Sequence, residues 1–314
     1  MRVMKQADKG AGKKPAPTIY ELAPEIKPGQ SIELLKELHI LTRDGKLNQD
    51  SRRKLKQVYH LVQFIEPLLK DAQAQKNADA GPVSVVDHGA GKSYLGFILY
   101  DLFFKDKPQG EQGHIYGIET REELVQKSAA LADRLGFGEG MSFLNLSVAE
   151  STGSDQLPPS IDVVTALHAC NTATDDAIDF ALKKHAKHIV LVPCCQAEIA
   201  TVLRKNKGKD LGRSVLTEIW RHPIHTREFG SQITNVLRCL QLEAHGYQVT
   251  VTELVGWEHS MKNELIIATY KNLPRRRPAE RLQEVMAELG LEEMAGRFYT
   301  DASTAASAAF ATTD

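Results

Sequence analysis

The feature that most constrains this chain is the stretch Val83-Ser84-Val85-Val86-Asp87-His88-Gly89-Ala90-Gly91-Lys92-Ser93-Tyr94-Leu95. A short apolar run ends in an acid, two glycines flank a single residue, and a helical apolar pattern then begins. Strand, tight turn and helix make the opening βα unit of an open α/β sheet. Such sheets bind ligands outside the carboxyl ends of their strands. Gly89 and Gly91 permit positive φ and leave no side chain between backbone and ligand.

Three chemistries compete for this turn. A phosphate loop needs a glycine at position 86, where Val86 stands, and Asp87 would set a carboxylate against phosphate. A dinucleotide turn needs its third glycine at 94, where Tyr94 stands, and again suffers from Asp87. A cationic nucleoside, S-adenosylmethionine, carries an ammonium and a sulfonium and no phosphate. An acid ahead of the glycines then helps by holding the amino-acid end, and this reading suits the residues best. A second acid agrees with it. Gly113-His114-Ile115-Tyr116-Gly117-Ile118-Glu119 reads as the next strand, and a carboxylate at its tip, Glu119, can accept both hydroxyls of a ribose. The plainer alternative for Glu119 is a solvated strand end.

Composition narrows the class. Charge is balanced, with 39 Lys+Arg against 40 Asp+Glu, so no global polyanion-binding signature exists. No apolar run approaches the ~18 residues that a membrane helix needs. The first residues, Met1 to Pro17, lack the apolar core of a secretory signal. Four cysteines, with Cys194 and Cys195 adjacent, make no disulfide framework. The expectation is a soluble, cytoplasmic protein without a membrane partner.

The chain divides by pattern. Residues 1–18 read as a disordered basic arm. Residues 19–80 read as an N-terminal helical region, with a short helix from Ile32 and a longer one from about Gln49 to Lys70. Arg52, Arg53, Lys54 and Lys56 in the longer helix suit a solvated face or a phosphate-contacting patch. Residues 81–272 carry the alternating part. Strands are expected at 83–87, 114–119, 141–146, 161–167 and 188–192, with helices at 93–104, 121–136 and from Thr174, and a loop over 151–160. This alternation argues for a parallel sheet with right-handed crossovers. Residues 194–230 interleave Arg204, Lys205, Lys207, Lys209, Arg213, Arg221 and Arg227 with Trp220, His222, His225 and Phe229. That mixture suits recognition of unpaired RNA or, equally, a solvated insertion with one buried Trp. A helix at 231–245 and strands at 247–255 and 264–270 follow. A C-terminal helix lies within 273–300, over 279–298, behind the break at Arg275-Arg276-Arg277-Pro278. Residues 301–314 read as a disordered tail.

Polar, reactive residues cluster after the fourth and fifth strands, as Leu167-His168-Ala169-Cys170-Asn171-Thr172-Ala173-Thr174-Asp175 and Val192-Pro193-Cys194-Cys195-Gln196. His168, Asn171, Cys194 and Gln196 are the candidates to face an acceptor. His168 or Asp175 could take a hydroxyl proton, although Asp175 also suits a helix start. Cys170 or Cys194 could add to a pyrimidine ring, although buried inert cysteine is the commoner fate. Adjacent cysteines lack the spacing of a zinc site, so no metal is expected.

The three motifs in this order, Asp-His-Gly-Ala-Gly-Lys-Ser-Tyr-Leu, Leu-His-Ala-Cys-Asn-Thr-Ala-Thr-Asp and Val-Pro-Cys-Cys-Gln, resemble a class I methyltransferase family that includes eukaryotic tRNA 2′-O-methyltransferases and uncharacterised methyltransferase-like proteins. The resemblance covers about residues 50–272. It implies a Rossmann-like class I methyltransferase sheet, mostly parallel with an antiparallel last strand, preceded by N-terminal helices. It implies dependence on S-adenosyl-L-methionine, held by Asp87, Gly89, Gly91 and Glu119 with Ser147 and Val148 beside the adenine, and an RNA acceptor, tRNA or rRNA. Asn171 stands where relatives often have Gly, and Asn145 stands where they have an acid. A small-molecule methyltransferase and a non-catalytic cofactor-binding module are the competing readings.

Overall fold

The computed structural model describes residues 23–76, 81–108, 111–167, 172–193, 196–206, 215–254 and 264–300. The chain forms two units, one ending at Leu55 and one beginning at Lys56. In the first, helix α1 (Ile32–Glu37) starts at Ser31, whose hydroxyl accepts the Leu34 N–H at 3.1 Å. Leu34, Leu35, Leu38, Ile40 and Leu41 are buried there. Helix α2 (Gln49–Gln75) begins with Asn48 accepting the Ser51 N–H at 2.8 Å. It outruns its expected end at Lys70, because Asp71-Ala72-Gln73-Ala74-Gln75 offers no glycine or proline to stop it.

The second unit is built on seven strands: β1 (Val83–His88), β2 (Gly113–Ile118), β3 (Met141–Leu144), β4 (Val163–Leu167), β5 (His188–Val192), β6 (Tyr247–Glu253) and β7 (Glu264–Tyr270). They lie in the order β3-β2-β1-β4-β5-β7-β6. The first five are mutually parallel, and β7 runs antiparallel to both β5 and β6. The expected Rossmann-like class I methyltransferase sheet is therefore present. The order reverses between β1 and β4, which puts the ligand crevice at the carboxyl ends of these strands. β1 and β5 are buried along their whole length, as expected of central strands in a parallel sheet.

Between the strands lie α3 (Tyr94–Leu99), which runs on as a π turn over Tyr100–Phe104, α4 (Glu122–Leu135), α5 (Val148–Gly153) and α6 (Thr172–Lys183). After β5 come α7 (Glu198–Asn206), a short 3₁₀ segment (Val215–Arg221) and α8 (Pro223–Ala244), and after β7 comes α9 (Arg276–Glu288). One core layer packs Val86, Val164, Ile178, Phe180, Ile189 and Ile266 together. A second layer packs Leu203, Trp220, Leu237, Leu240 and Leu282.

Further element boundaries differ from expectation. The loop expected at 151–160 begins as helix α5, because Ser147 and Glu150 form a capping box. β3 ends at Leu144 rather than Leu146. α8 starts at Pro223, eight residues before 231, with proline in the first turn where its missing N–H costs nothing. α9 likewise begins ahead of Pro278 and stops at Glu288, and Gly290 follows with φ 63°.

Candidate functional site

The turn after β1 is left-handed at three places: Gly89 (φ 63°), Gly91 (φ 59°) and Ser93 (φ 52°). Two are glycine, where that conformation is cheap. Ser93 is not, and its hydroxyl is buried without a hydrogen-bond partner among the described residues. The turn is seated by Ala90 N–H donating to the Ile118 carbonyl at 3.0 Å and Ser93 N–H donating to the Ala90 carbonyl at 2.7 Å. Gly117 in β2 makes room for it, since a Cβ there would lie 2.9 Å from Phe143 and 3.5 Å from the Ala90 methyl. Among the described residues a Cβ on Gly89 would meet nothing within 4 Å, so the turn is open on that side.

Asp87 is buried at the end of β1. Its Oδ1 accepts the Thr165 hydroxyl at 2.6 Å from the facing position of β4. Burial pushes the carboxyl up to about 6, and the Thr165 bond opposes that only partly. His88 points the other way, edge-on to Phe180 at 4.4 Å. Burial pushes its pKa down to about 3, so it stays neutral.

Glu119 at the tip of β2 has the opposite electrostatics. Its Oε2 accepts the Gly91 N–H at 2.9 Å and Arg121 Nη2 at 3.0 Å, while its Oε1 accepts the Arg121 N–H and Nε, each at 3.0 Å. The Arg121 guanidinium, joined by these backbone donors, holds the carboxyl at about 2 despite its burial. The Gly91 bond ties the first-strand turn directly to the second-strand acid. Asn145 after β3 donates to the Glu119 carbonyl at 3.1 Å and the Thr120 carbonyl at 2.8 Å, fixing the β2 tip from its other side. Neither Thr165 nor Arg121 is among the residues singled out in the sequence, where Asn145 stands only as a missing acid. Thr165 shows no signal until the strands are in register, whereas Arg121 is a cation two residues after the strand-tip acid.

Ser147 and Val148 lie at the start of α5. The Ser147 hydroxyl and N–H both donate to Glu150 Oε2 at 2.7 Å, and its carbonyl accepts the Ser151 N–H at 2.9 Å. Its polar groups are thus engaged in the helix start, while Val148 is half-buried against the sheet core.

His168, Asn171 and Cys194 lie outside the described residues, as do Cys170 and Cys195. What anchors the chain on either side of them is visible. Asp175 on α6 is buried, and its Oδ1 accepts Arg238 Nε at 2.5 Å. Arg238, fully buried on α8, also donates to Asn235 Oδ1 at 3.1 Å. Gln196, just after β5, donates its amide to the same Asn235 oxygen at 2.8 Å, and Asn235 donates to Glu264 Oε2 at 2.6 Å at the start of β7. Arg297 bridges Asp175, at 3.4 Å, and Glu198. Asp175 is therefore bound up in an ion pair rather than poised as a base. The amide of Gln196 faces α8. A cavity of about 10 Å³ beside Gln196, Arg238 and Arg297 has room for one water.

In the basic and aromatic stretch, Trp220 is buried and sits edge-on to Phe229 at 5.0 Å, so it belongs to the core and not to a stacking surface. Among the described residues no group of three or more His, Cys, Asp or Glu could hold a metal, and no helix is long and apolar enough to cross a membrane.

A family model described as a methyltransferase domain matches residues 53–202. Curated relatives named "Glutathione S-transferase C-terminal domain-containing protein" are 24% identical over 243 residues in Bos taurus and 23% in Homo sapiens; each alignment covers 72% of this chain and 34% of the relative. The chain thus spans about a third of the length of the curated relatives it matches. Similar solved structures include a putative O-methyltransferase from Klebsiella pneumoniae, with TM-score 0.44, 13% identity and coverage of 79% of this chain and 94% of that one. Another is the N-terminal domain of human METTL16 in complex with SAH, with TM-score 0.40, 10% identity and coverage of 68% and 69%.

Proposed function

Since the chain carries a class I, S-adenosylmethionine-dependent methyltransferase domain, we propose that it transfers the methyl group of that cofactor to RNA, and that Asp87, Gly89, Gly91, Glu119 and Val148 form the cofactor cleft. The observation that carries this reading is the hydrogen bond from Gly91 N–H to Glu119 Oε2, which makes one unit of the glycine turn and the second-strand acid beside the buried Asp87. The cofactor supplies an electrophilic methyl on a sulfonium. The protein's part is to hold and orient. Asp87 offers a carboxylate for the ammonium end, in a place where poor solvation strengthens the attraction. The open side of Gly89 receives the amino-acid end without a side chain in the way. Glu119 addresses the ribose hydroxyls, and Val148 gives the base an apolar wall. Ser147 serves by starting α5, which sets Val148 in place.

The acceptor groups fall to His168, Asn171 and Cys194, with Gln196 as a positioning residue that ties the β5 tip to α8. RNA is favoured over a small molecule by the first turns of α8. The helix contacts α7 at Gly230, where a Cβ would lie 2.7 Å from the Ala200 nitrogen, and reaches Glu264 through Asn235. Residues 223–229 therefore project about 10 Å further, on the side where the parallel strands end. Arg221, His222, Ile224, His225 and Arg227 are exposed there, Ile224 by 57%. The pairs Arg221–Glu218 and Arg227–Glu228 are exposed and worth little, so both cations can turn to phosphate. A reducing compartment such as the cytoplasm fits a site rich in cysteine.

The test is transfer of labelled methyl from S-adenosylmethionine to total RNA or to a small-molecule extract, with the modified nucleoside identified by mass spectrometry. Label should enter RNA, tRNA or rRNA, and fall steeply with salt. Label found only in small molecules overturns the RNA acceptor. Retention of S-adenosylhomocysteine binding in both Asp87→Ala and Glu119→Ala overturns the cleft.

A further inference from the structure

Beside a long contact from the Thr120 hydroxyl at 3.4 Å, four donors hold Glu119 at 2.9–3.0 Å. Two are backbone groups, the Gly91 and Arg121 N–H, fixed by the glycine turn and by the start of α4. The other two are the Nε and Nη2 of one guanidinium, a fork with one tine on each oxygen, each bond 3.0 Å. An ionised carboxylate offers about four lone-pair positions, so no further donor can bind well without displacing one of these. The backbone pair cannot leave without unmaking the turn. The fork can: the Arg121 side chain is 67% exposed, and water is ready to take its donors. Its Nη2 also lies 3.8 Å from where a Gly91 Cβ would stand, so the guanidinium overhangs the turn as well as the acid.

A vicinal diol presents two O–H donors to one carboxylate, as the fork presents two N–H donors. We propose that Arg121 is an internal competitor for Glu119, whose two guanidinium hydrogen bonds are exchanged one for one for the two ribose hydroxyls of the cofactor, so that Arg121 sets both the affinity of the site and its demand for an intact diol. A ligand with both hydroxyls replaces both bonds that it breaks. A ligand lacking one displaces a single guanidinium bond and leaves the other on the buried carboxylate, so it has less to gain from the loss of Arg121. Arg121 is thus a specificity-determining residue of the cleft. It reaches its effect through Glu119, and the inference rests on the reading of Glu119 as the ribose-holding acid.

Calorimetric titration with S-adenosylhomocysteine and with its 2′-deoxy analogue tests it on the full chain. In Arg121→Met, S-adenosylhomocysteine should bind roughly two- to fivefold tighter, the range that loss of an exposed ion pair allows. The 2′-deoxy analogue, which displaces one guanidinium bond where the parent displaces two, should gain less than the parent, widening the difference between them. Arg121→Lys, which keeps the charge and loses the fork, should fall between wild type and Arg121→Met. In a Glu119→Ala background the Arg121→Met change should have no effect. Unchanged or weaker binding in Arg121→Met, with Glu119→Ala still deleterious, overturns the competitor and spares the cleft. Binding indifferent to Glu119→Ala overturns the cleft itself.

Discussion

The two halves of the sheet's carboxyl end are built on different physics. On the β3-β2-β1 side the charged groups are neighbours along the chain or across adjacent strand tips: Glu119 is held by Arg121, two residues on, and by Gly91 from the adjoining turn. Part of this machinery faces solvent, and its guanidinium can move. On the β4-β5-β7 side a buried arginine gathers Asp175 and Asn235, and Asn235 in turn holds Gln196 and Glu264. These come from α6, the β5 tip, α8 and β7, so that half is fixed by contacts between distant parts of the chain. The first half is suited to exchanging a small ligand. The second is suited to holding the β5 tip and the start of β7 in a constant relation.

The sharpest break between the halves should come from removing one arginine from each. Arg238→Met leaves Asp175 buried beside Arg297 alone, at 3.4 Å, and strips Asn235 of a donor. Loss of one partner of a buried pair costs about 3–5 kcal/mol. Arg121→Met, on an exposed side chain, should cost less than about 1 kcal/mol. Urea unfolding of both variants measures the contrast. Coupling Arg238→Met with Asp175→Leu should recover much of the loss, because an apolar pair of suitable volume replaces a buried ion pair well. Similar midpoints for the two single variants would mean that the halves do not differ in this way.

The same contrast explains what could be read in the residues alone. The Asp87-His88-Gly89-Ala90-Gly91 turn and the acid of Glu119 are local patterns, and local patterns survive in sequence. Parallel alternation was legible for the same reason, whereas the antiparallel strand was implied by the family resemblance. Asp175 shows the limit. Thr174-Asp175-Asp176 looks like a helix start, and only the approach of α8, 63 residues later, turns it into the partner of a buried arginine. Trp220 decides between the two readings open for the basic stretch: its 3% exposure puts it in the core, as in an insertion with one buried Trp. α8 starts ahead of its expected position because His222-Pro223, a helix-start signal, lies inside the basic stretch. Thr165 is an unremarkable strand residue until the register sets it across from Asp87.

A smaller effect distinguishes the two carboxylates within the first half. Asp87 is held up at about 6 against an ordinary value of 3.8, so the folded protein binds its proton more tightly than the unfolded chain does. Its contribution to stability is fully present below pH 3.8 and is lost as pH rises through about 6. The shift corresponds to roughly 3 kcal/mol at most. Asp87→Asn removes that cost, so at pH 8 the variant should unfold at higher urea than wild type, and the advantage should vanish near pH 4. Its affinity for S-adenosylhomocysteine should fall about tenfold or more, since the ammonium loses a charged partner. Wild-type affinity should weaken as pH drops below about 6, and the variant's should not. Glu119, ionised down to about 2, adds no slope in that range. An unaltered pH profile in Asp87→Asn would remove Asp87 from the cleft.

The smallest expected effect separates two glycines that the sequence treats alike. Gly89→Ala and Gly91→Ala each force a side chain into left-handed backbone, at about 1–2 kcal/mol. Among the described residues neither meets a steric obstacle: a Cβ at 89 finds nothing within 4 Å, and one at 91 finds Arg121 Nη2 at an ordinary 3.8 Å. Urea unfolding should therefore show similar, modest losses for both. Binding should not be similar. A methyl at 89 projects into the open side where the cofactor's amino-acid end is received, and should weaken S-adenosylhomocysteine binding beyond the loss of stability. A methyl at 91 lies in ordinary contact with the guanidinium and away from that open side, so it should cost affinity little beyond the loss of stability. Equal affinity losses at the two positions would show that the turn acts through its backbone shape alone, with no ligand passing over Gly89.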